Sequence, residues 1–220
     1  MMTKGKLIVI EAGDGSGKAT QTKLLFDHLK AEGLPVRQIS FPDYESPSSS
    51  LVKMYLKGDF GKHADDVDAY AASTFYAVDR YASFKMKWKQ FYDAGEIILA
   101  DRYVTSNMVH QAVKIADDIK RNEFLDWLDD FEYVKLKLPR PDLVIFLDMP
   151  PAISEKLIKE RKREDIHEKD FDYLHRCYDS YKELANKFNW VVINCSDGKE
   201  PRTIEEIHKD IIKEMTGVFE

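Results

Sequence analysis

Four stretches of the chain are almost continuously apolar: KLIVIEA (6–12), GEIILAD (95–101), PDLVIFLD (141–148) and NWVVINC (189–195). A strand with one wet face alternates apolar and polar side chains, so runs of this kind belong to strands buried on both faces, and such strands occur in parallel sheets. LPVRQISF (34–41) is a weaker run of the same type. Segments of helical length separate them. TQTKLLFDHLKAEG carries Leu24, Leu25 and Leu29 and stops at Gly33, and DAYAASTFYAVDRYASFKMKWKQFYDAG reads as one long helix ending at Gly95. SPSSS (46–50) reads as a loop and helix cap. The alternation predicts an α/β fold, a parallel sheet of about five strands with helices on both faces and ligands at the carboxyl ends of the strands.

The length of 220 residues goes, in α/β proteins, with one enlarged domain, here 1–220. Hydrophobic residues make up 44% of the chain, with 12 Phe, 11 Tyr and 3 Trp, which is ample material for one core. The 33 basic and 39 acidic side chains leave a formal charge of −6, and no block of like charge forms a tail. Duplex binding rests on neutralising phosphates, so nucleic acid is not an expected partner, whereas a small anion needs only one cluster of N–H groups and cations. No run approaches the ~20 apolar residues of a spanning helix, and no membrane partner is expected. The apolar part of MMTKGKLIVIEA is too short for a signal peptide, and Cys177 and Cys195 fit neither a disulfide framework nor a zinc pattern. These features predict a cytoplasmic protein in a reducing compartment.

GDGSGKAT (13–20) follows the first strand and opens the first helix, the context in which a G-x-x-x-x-G-K-[ST] loop binds phosphate. Gly13, Gly15 and Gly17 are expected at positive φ, turning backbone N–H groups inward at a helix N-terminus whose dipole favours anions. Gly13, Asp14, Gly15, Ser16, Gly17, Lys18, Ala19 and Thr20 are therefore the candidate cradle for the phosphates of ATP, with the Lys18 charge on the β and γ groups. Ala12 stands in place of the first glycine and Ala19 in place of the hydroxyl that holds a metal ion. The loop alone is compatible with a kinase whose metal site is adjusted, acting on one or another nucleoside or nucleoside monophosphate, and with a nucleotide-binding module that catalyses nothing.

Phosphoryl transfer needs charge neutralisation and alignment more than covalent help. Asp101 closes a buried strand and Arg102 follows it, at the end of the sheet that faces the ligand crevice. Tyr76 and Arg80 lie four residues apart on one helical face, so a ring and a guanidinium can address the same base, and Phe75 is assigned to the core.

In order and spacing, IEAGDGSGKATQTKLL, FPDY (41–44), FYAVDRY (75–81), ADRYVTSN (100–107) and PDLVIFLDMPP (141–151) resemble the thymidylate kinases, from about residue 6 to about residue 195. The resemblance implies a P-loop kinase fold, transfer of the γ-phosphoryl of ATP to dTMP to give dTDP, a Mg²⁺ requirement and a homodimer. By the same resemblance, Asp101 lies by the metal and phosphates; since Mg²⁺ is commonly held by one or two carboxylates, Asp14 or Glu168 is expected to help it. Arg102 grips the acceptor phosphate, and Asp14 accepts the 3′-hydroxyl of the acceptor deoxyribose. Tyr76 and Arg80 match the positions that stack on thymine and bind its carbonyl oxygen. Phe41, Tyr44, Leu56, Asn107, His110 and Gln111 complete the implied dTMP site; His110 stands where Tyr is frequent, a place linked to preference for deoxyribose. LIKERKREDIHEKDF (157–171) occupies the position of a lid over ATP, with Arg161 and Arg163 as candidate catalytic cations, because Gly15 leaves the phosphate loop without an arginine.

Overall fold

A computed structural model describes residues 4–159, 170–215 and 217. Five parallel strands, β1 (Leu7–Ala12), β2 (Val36–Ser40), β3 (Ile97–Asp101), β4 (Leu143–Asp148) and β5 (Val191–Asn194), lie in the order β2-β3-β1-β4-β5. The helices are α1 (Lys18–Ala31), α2 (Ser50–Lys57), α3 (Ala69–Ser83), α4 (Lys89–Asp93), α5 (Val104–His110), α6 (Asp118–Asp129), α7 (Pro151–Lys159), α8 (Phe171–Lys187) and α9 (Ile204–Met215).

The apolar runs have the expected cause in the three inner strands. Successive side chains of a strand point to opposite faces. Leu7 and Val9 enter a cluster with Ile98, Ala100, Phe146 and Trp88, while Ile8 and Ile10 enter a second with Leu25, Leu29, Ile145, Ile207 and Ile211. The second cluster lies under α1 and α9, and the first under the helices of the other face, so the positions from Leu7 to Ile10 are all apolar. Burying one such aliphatic side chain contributes about 1.5–3 kcal/mol.

The run 189–195 departs from this pattern. β5 is an edge strand with β4 as its sheet neighbour, and Val192 stays half exposed on its outer face. β2 is the other edge, which accounts for the polar Arg37 and Gln38 in the weakest run.

The helix expected to run to Gly95 is divided. A π-helical turn, Phe84–Trp88, separates α3 from α4, and it swings Phe84 and Trp88 into the core with ring centroids 4.6 Å apart. Ser46 caps a short turn, Pro47–Ser49, by accepting from the Ser48 N–H, and α2 follows.

From β1 the chain builds β2 and β3 on one side of the sheet, then returns to place β4 and β5 on the other. The crevice that opens at such a reversal lies at the carboxyl ends of the strands. There the loop after β1 meets the residues after β3, with Ile10 and Asp101 in register.

Candidate active site

The loop between β1 and α1 is shaped by two glycines. Gly15 and Gly17 both have φ of +76°, a conformation that penalises a Cβ, and Gly17 caps α1 without any side chain closing the helix end. Gly13 is not left-handed, contrary to expectation. A Cβ there would stand 3.7 Å from Ser16 Oγ, an ordinary contact. Ala12, fully buried as the last residue of β1 and opposite Leu147, is likewise outside the left-handed region. An alanine is therefore tolerated at position 12.

Lys18 donates from Nζ to Asp101 Oδ1. Burial and the nearby Arg102 guanidinium pull the ammonium below its ordinary range, while Asp101 and Asp14 push it back up. Ala19 and Thr20 are exposed on the first turn of α1, and Ala19 offers no ligand to a metal. The described residues contain no cluster of three or more His, Cys, Asp or Glu side chains able to hold an ion.

Arg102 has a left-handed backbone, φ +68°, uncommon for a non-glycine residue. The strain is held in place by Glu11, a fully buried carboxylate at the end of β1. It accepts from the Tyr103 N–H at 3.2 Å, Thr105 Oγ1 at 2.6 Å, Ser106 Oγ at 2.7 Å and Tyr181 Oη at 3.0 Å, pinning the whole turn from β3 into α5. The Arg102 side chain is thereby directed at the phosphate loop, where Nη2 donates to Asp14 Oδ1 at 2.5 Å. Burial lowers the guanidinium pKa, but Asp14, Tyr181, Glu11 and Asp101 more than offset it and leave it well above the ordinary value.

Beside this centre lies a cleft of about 100 Å³. Asp14, Phe41, Tyr44, Leu56, Tyr76, Arg80, Arg102, Asn107, His110 and Gln111 all line it, so the ten residues assigned above to a dTMP site share one wall-to-wall cavity. Pro42, Tyr103 and Ser106 line it as well. Tyr76 is half-buried and meets Tyr55 edge to face, with centroids 6.3 Å apart. Phe75 is only partly buried, packed on the small cluster of Tyr55, Val67 and Ala72 and against the Phe60 ring. Gln111 is fully buried, and its amide Nε2 and Oε1 have no hydrogen-bond partner among the described residues. An amide held open in this way is complementary to the donor and acceptor edge of a base.

Three buried carboxylates govern the cleft and were not foreseen. Glu132, in a π-helical turn Asp130–Lys135, accepts from Arg80 Nε at 2.6 Å and Nη2 at 2.5 Å. Burial lowers the Arg80 pKa, but the Glu132 charge and hydrogen bonds outweigh it and leave it raised. Asp79 accepts from the Asp43 N–H at 2.8 Å and Ser48 Oγ at 2.6 Å, tying the loop that carries Phe41, Pro42 and Tyr44 to α3. Glu11, the third, had one available signal, a lone charge inside an apolar strand run. Arg161, Arg163 and Glu168 lie outside the described residues, as does most of the segment 157–171.

Comparison with known proteins bears on this geometry. The family description "Thymidylate kinase" matches residues 10–211. The chain belongs to the thymidylate kinase family. It is 28% identical to the thymidylate kinase of Plasmodium falciparum over 216 residues, covering 98% of this chain and 91% of that one. It is 30% identical over 217 residues to a probable thymidylate kinase of Methanocaldococcus jannaschii, covering 99% of each. The fold is similar to the solved thymidylate kinase of Candida albicans, with a TM-score of 0.72 at 22% identity over 97% of this chain and 92% of that one. The thymidylate kinase assignment agrees with a parallel sheet whose glycine-rich loop adjoins a cleft.

Proposed function

We propose that Lys18, Asp14, Asp101 and Arg102 form the transfer centre of this kinase and that the adjoining cleft holds dTMP. The chain transfers the γ-phosphoryl of ATP to dTMP and yields dTDP, the reaction of its family. One observation carries the residue assignment: Arg102 and Asp14, paired to each other, stand at the junction between the phosphate loop and the cleft. The loop N–H groups and Lys18 neutralise the donor phosphates, and Arg102 holds the acceptor phosphate in line. The Lys18–Asp101 and Arg102–Asp14 pairs keep both cations near their working positions until phosphates take over one side of each pair. Arg161 and Arg163, in the lid segment 157–171, are proposed to add positive charge over ATP on closure.

Tyr76 stacks on the base, Arg80 and Gln111 address its edge, and Phe41, Tyr44, Leu56, Asn107 and His110 complete the cleft. Base–aromatic stacking contributes about 1–3 kcal/mol, so Tyr76→Ala is expected to raise the dTMP concentration for half-saturation roughly 5- to 150-fold and leave that for ATP unchanged. Tyr76→Phe keeps the ring and should be nearly neutral. Equal effects on both substrates would make the helix structural instead.

Mg²⁺ commonly keeps several waters and is bound by one or two carboxylates plus substrate phosphates, so the residues present fit an ion carried in on ATP without the hydroxyl that Ala19 lacks. Asp101 would hold it, with Asp14 or Glu168 as helper; bound, the ion neutralises charge on the donor phosphates. Steady-state transfer from ATP to dTMP, dUMP, dCMP, dAMP and thymidine, at varied Mg²⁺, tests the whole reading. dTMP should be strongly preferred, Asp101→Asn should raise the Mg²⁺ requirement sharply, and Ala19→Ser should change it little. A gain above about tenfold from Ala19→Ser at limiting Mg²⁺, about 1.4 kcal/mol of barrier, would mean that the natural metal site is damaged.

A homodimer is proposed as well, supported by Tyr70, Val78 and Tyr81, exposed apolar side chains spaced along one side of α3. A light-scattering mass of one chain would remove it. A cytoplasmic location is supported by two free, buried cysteines, whose thiols burial pushes up to about 12, and no described helix is long and apolar enough to cross a membrane. Cell fractionation tests it.

A further inference from the structure

We propose that His110 is a positioning residue for Arg102: a neutral imidazole with its proton on Nδ1, it accepts from the guanidinium through Nε2 and fixes one arm of Arg102 while Asp14 fixes the other. This deepens the assignment of Arg102 to the acceptor phosphate and rests on it.

The tautomer follows from counting protons. Arg102 Nη1 lies 3.2 Å from His110 Nε2, and a guanidinium has donors and no acceptor, so Nε2 must be the acceptor. A proton on Nε2 would set N–H against N–H at that distance. Tyr181 Oη, 3.4 Å from Nε2, directs its own proton to Glu11 Oε2 at 3.0 Å and does not compete as a donor; with Ser106 Oγ at 3.5 Å it stands beside His110 as a longer acceptor for Arg102 Nη1, at 3.3 Å. On the other side of the ring, Tyr173 Oη donates to the His110 carbonyl at 2.7 Å. The Tyr173 oxygen, 3.4 Å from Nδ1, is therefore left to accept from an Nδ1–H, and Cys177 Sγ stands at the same distance. One ring proton, on Nδ1, serves the Arg102 and Tyr173 contacts together, and Tyr181 Oη touches Nε2 without a hydrogen bond.

The surroundings also oppose a second proton. From α8, Tyr173 and Tyr181 are held protonated by burial well beyond neutral pH, and the Cys177 thiol is pushed up to about 12 for the same reason, so none offers an anion to an imidazolium. Asp14 from the phosphate loop is committed to Arg102, and Glu11 from β1 is saturated by hydroxyl and backbone donors. Arg102 itself, Arg176 of α8 and Lys114 beyond α5 are the cations near this ring or near Cys177 beneath it. A guanidinium held on both arms in advance loses less freedom when the phosphate arrives.

The test uses the whole enzyme. In ligand-free protein, ¹⁵N spectra of the His110 ring should show Nδ1 protonated and Nε2 bare. His110→Phe keeps a ring and removes the nearest of the three acceptors facing Arg102 Nη1, leaving Tyr181 Oη and Ser106 Oγ; kcat/KM for dTMP should fall about tenfold or more, as for a lost bond to a charged group, with half-saturation by ATP and the melting temperature little changed. His110→Gln returns an acceptor oxygen and should recover most of the loss. As the pH is lowered through the range where imidazoles titrate, wild-type kcat/KM for dTMP should fall further than that of His110→Gln, since the titration of dTMP is common to both. A protonated Nε2 overturns the proposal, as does a His110→Phe enzyme with an unchanged dTMP dependence, or one equally impaired toward both substrates. If Arg102→Ala leaves the dTMP dependence intact while the tautomer is as stated, the phosphate assignment of Arg102 fails rather than its contact with His110.

Discussion

Replacing Lys18 by alanine lowers the rate of phosphoryl transfer about 10²- to 10³-fold, the usual loss when one preorganised electrostatic contact to the developing charge is removed. The physical reason lies in where the ammonium sits. It is largely withdrawn from water beside Asp101, at the first residue of a helix whose N-terminal N–H groups no side chain caps. An anion entering there meets a cation and a helix dipole together, in surroundings that screen them poorly. The chain itself should remain folded, because Asp101 lies at the mouth of the crevice and keeps some access to water. Single-turnover transfer at saturating ATP, read beside thermal melts, checks both halves of this expectation. A variant with more than about a tenth of the wild-type rate removes Lys18 from the chemistry. Lys18→Met, which keeps the apolar stem, serves if alanine loosens the loop.

Glu132→Ala has the largest expected effect on stability. The Glu132 carboxylate is fully buried and takes two parallel hydrogen bonds from Arg80, itself 1% exposed. Removing one member of such a pair leaves an uncompensated charge inside the protein, which costs about 3–5 kcal/mol. For a chain of this size each kcal/mol lowers the melting temperature by roughly 2–4 °C, so a drop on the order of 6–20 °C is expected in calorimetry. The pair is not worth that much in itself; the loss comes from stranding Arg80. Glu132→Ala combined with Arg80→Leu should therefore be clearly more stable than Glu132→Ala alone. A double variant as unstable as the single one would show that Glu132 matters through Asn107, whose Nδ2 donates to Glu132 Oε1 at 3.4 Å, or through the π-helical turn instead. Because Arg80 also lines the cleft, that double variant should fold and still bind dTMP poorly.

Much of this arrangement is carried by local order along the chain. Nearly continuous apolar runs at 6–12, 95–101 and 141–148 mark the three inner strands, since a strand covered on both faces admits a polar side chain only where partners inside the protein satisfy it, as they do Glu11. The glycine-rich loop between the first of them and α1 marks the phosphate site, because a strand–loop–helix with an uncapped amino end favours an anion wherever it occurs. The ten residues proposed for dTMP were assigned by a resemblance of motifs, and the fold gathers them around one cleft.

The carboxylates behind that cleft were not legible. Glu132 is 52 residues from Arg80 in the chain, and Asp79 is 36 from the backbone it holds at Asp43. Read alone, each is a charge on a helix, and a charge on a helix is ordinarily solvated. Whether it is buried depends on what lies across from it, and in both cases that is a distant segment brought near by the sheet. The π-helical turns at Phe84–Trp88 and Asp130–Lys135 escape for a related reason: each changes helical phase without a proline or glycine to signal it, and tertiary contacts hold it. His110 shows the division at one residue. Its place among the cleft residues is expected from its position in the motif. Its tautomer follows from Arg102, Tyr173 and Tyr181, which meet only when β3, α5 and α8 are packed together, because a ring nitrogen takes or gives a proton according to its neighbour in space.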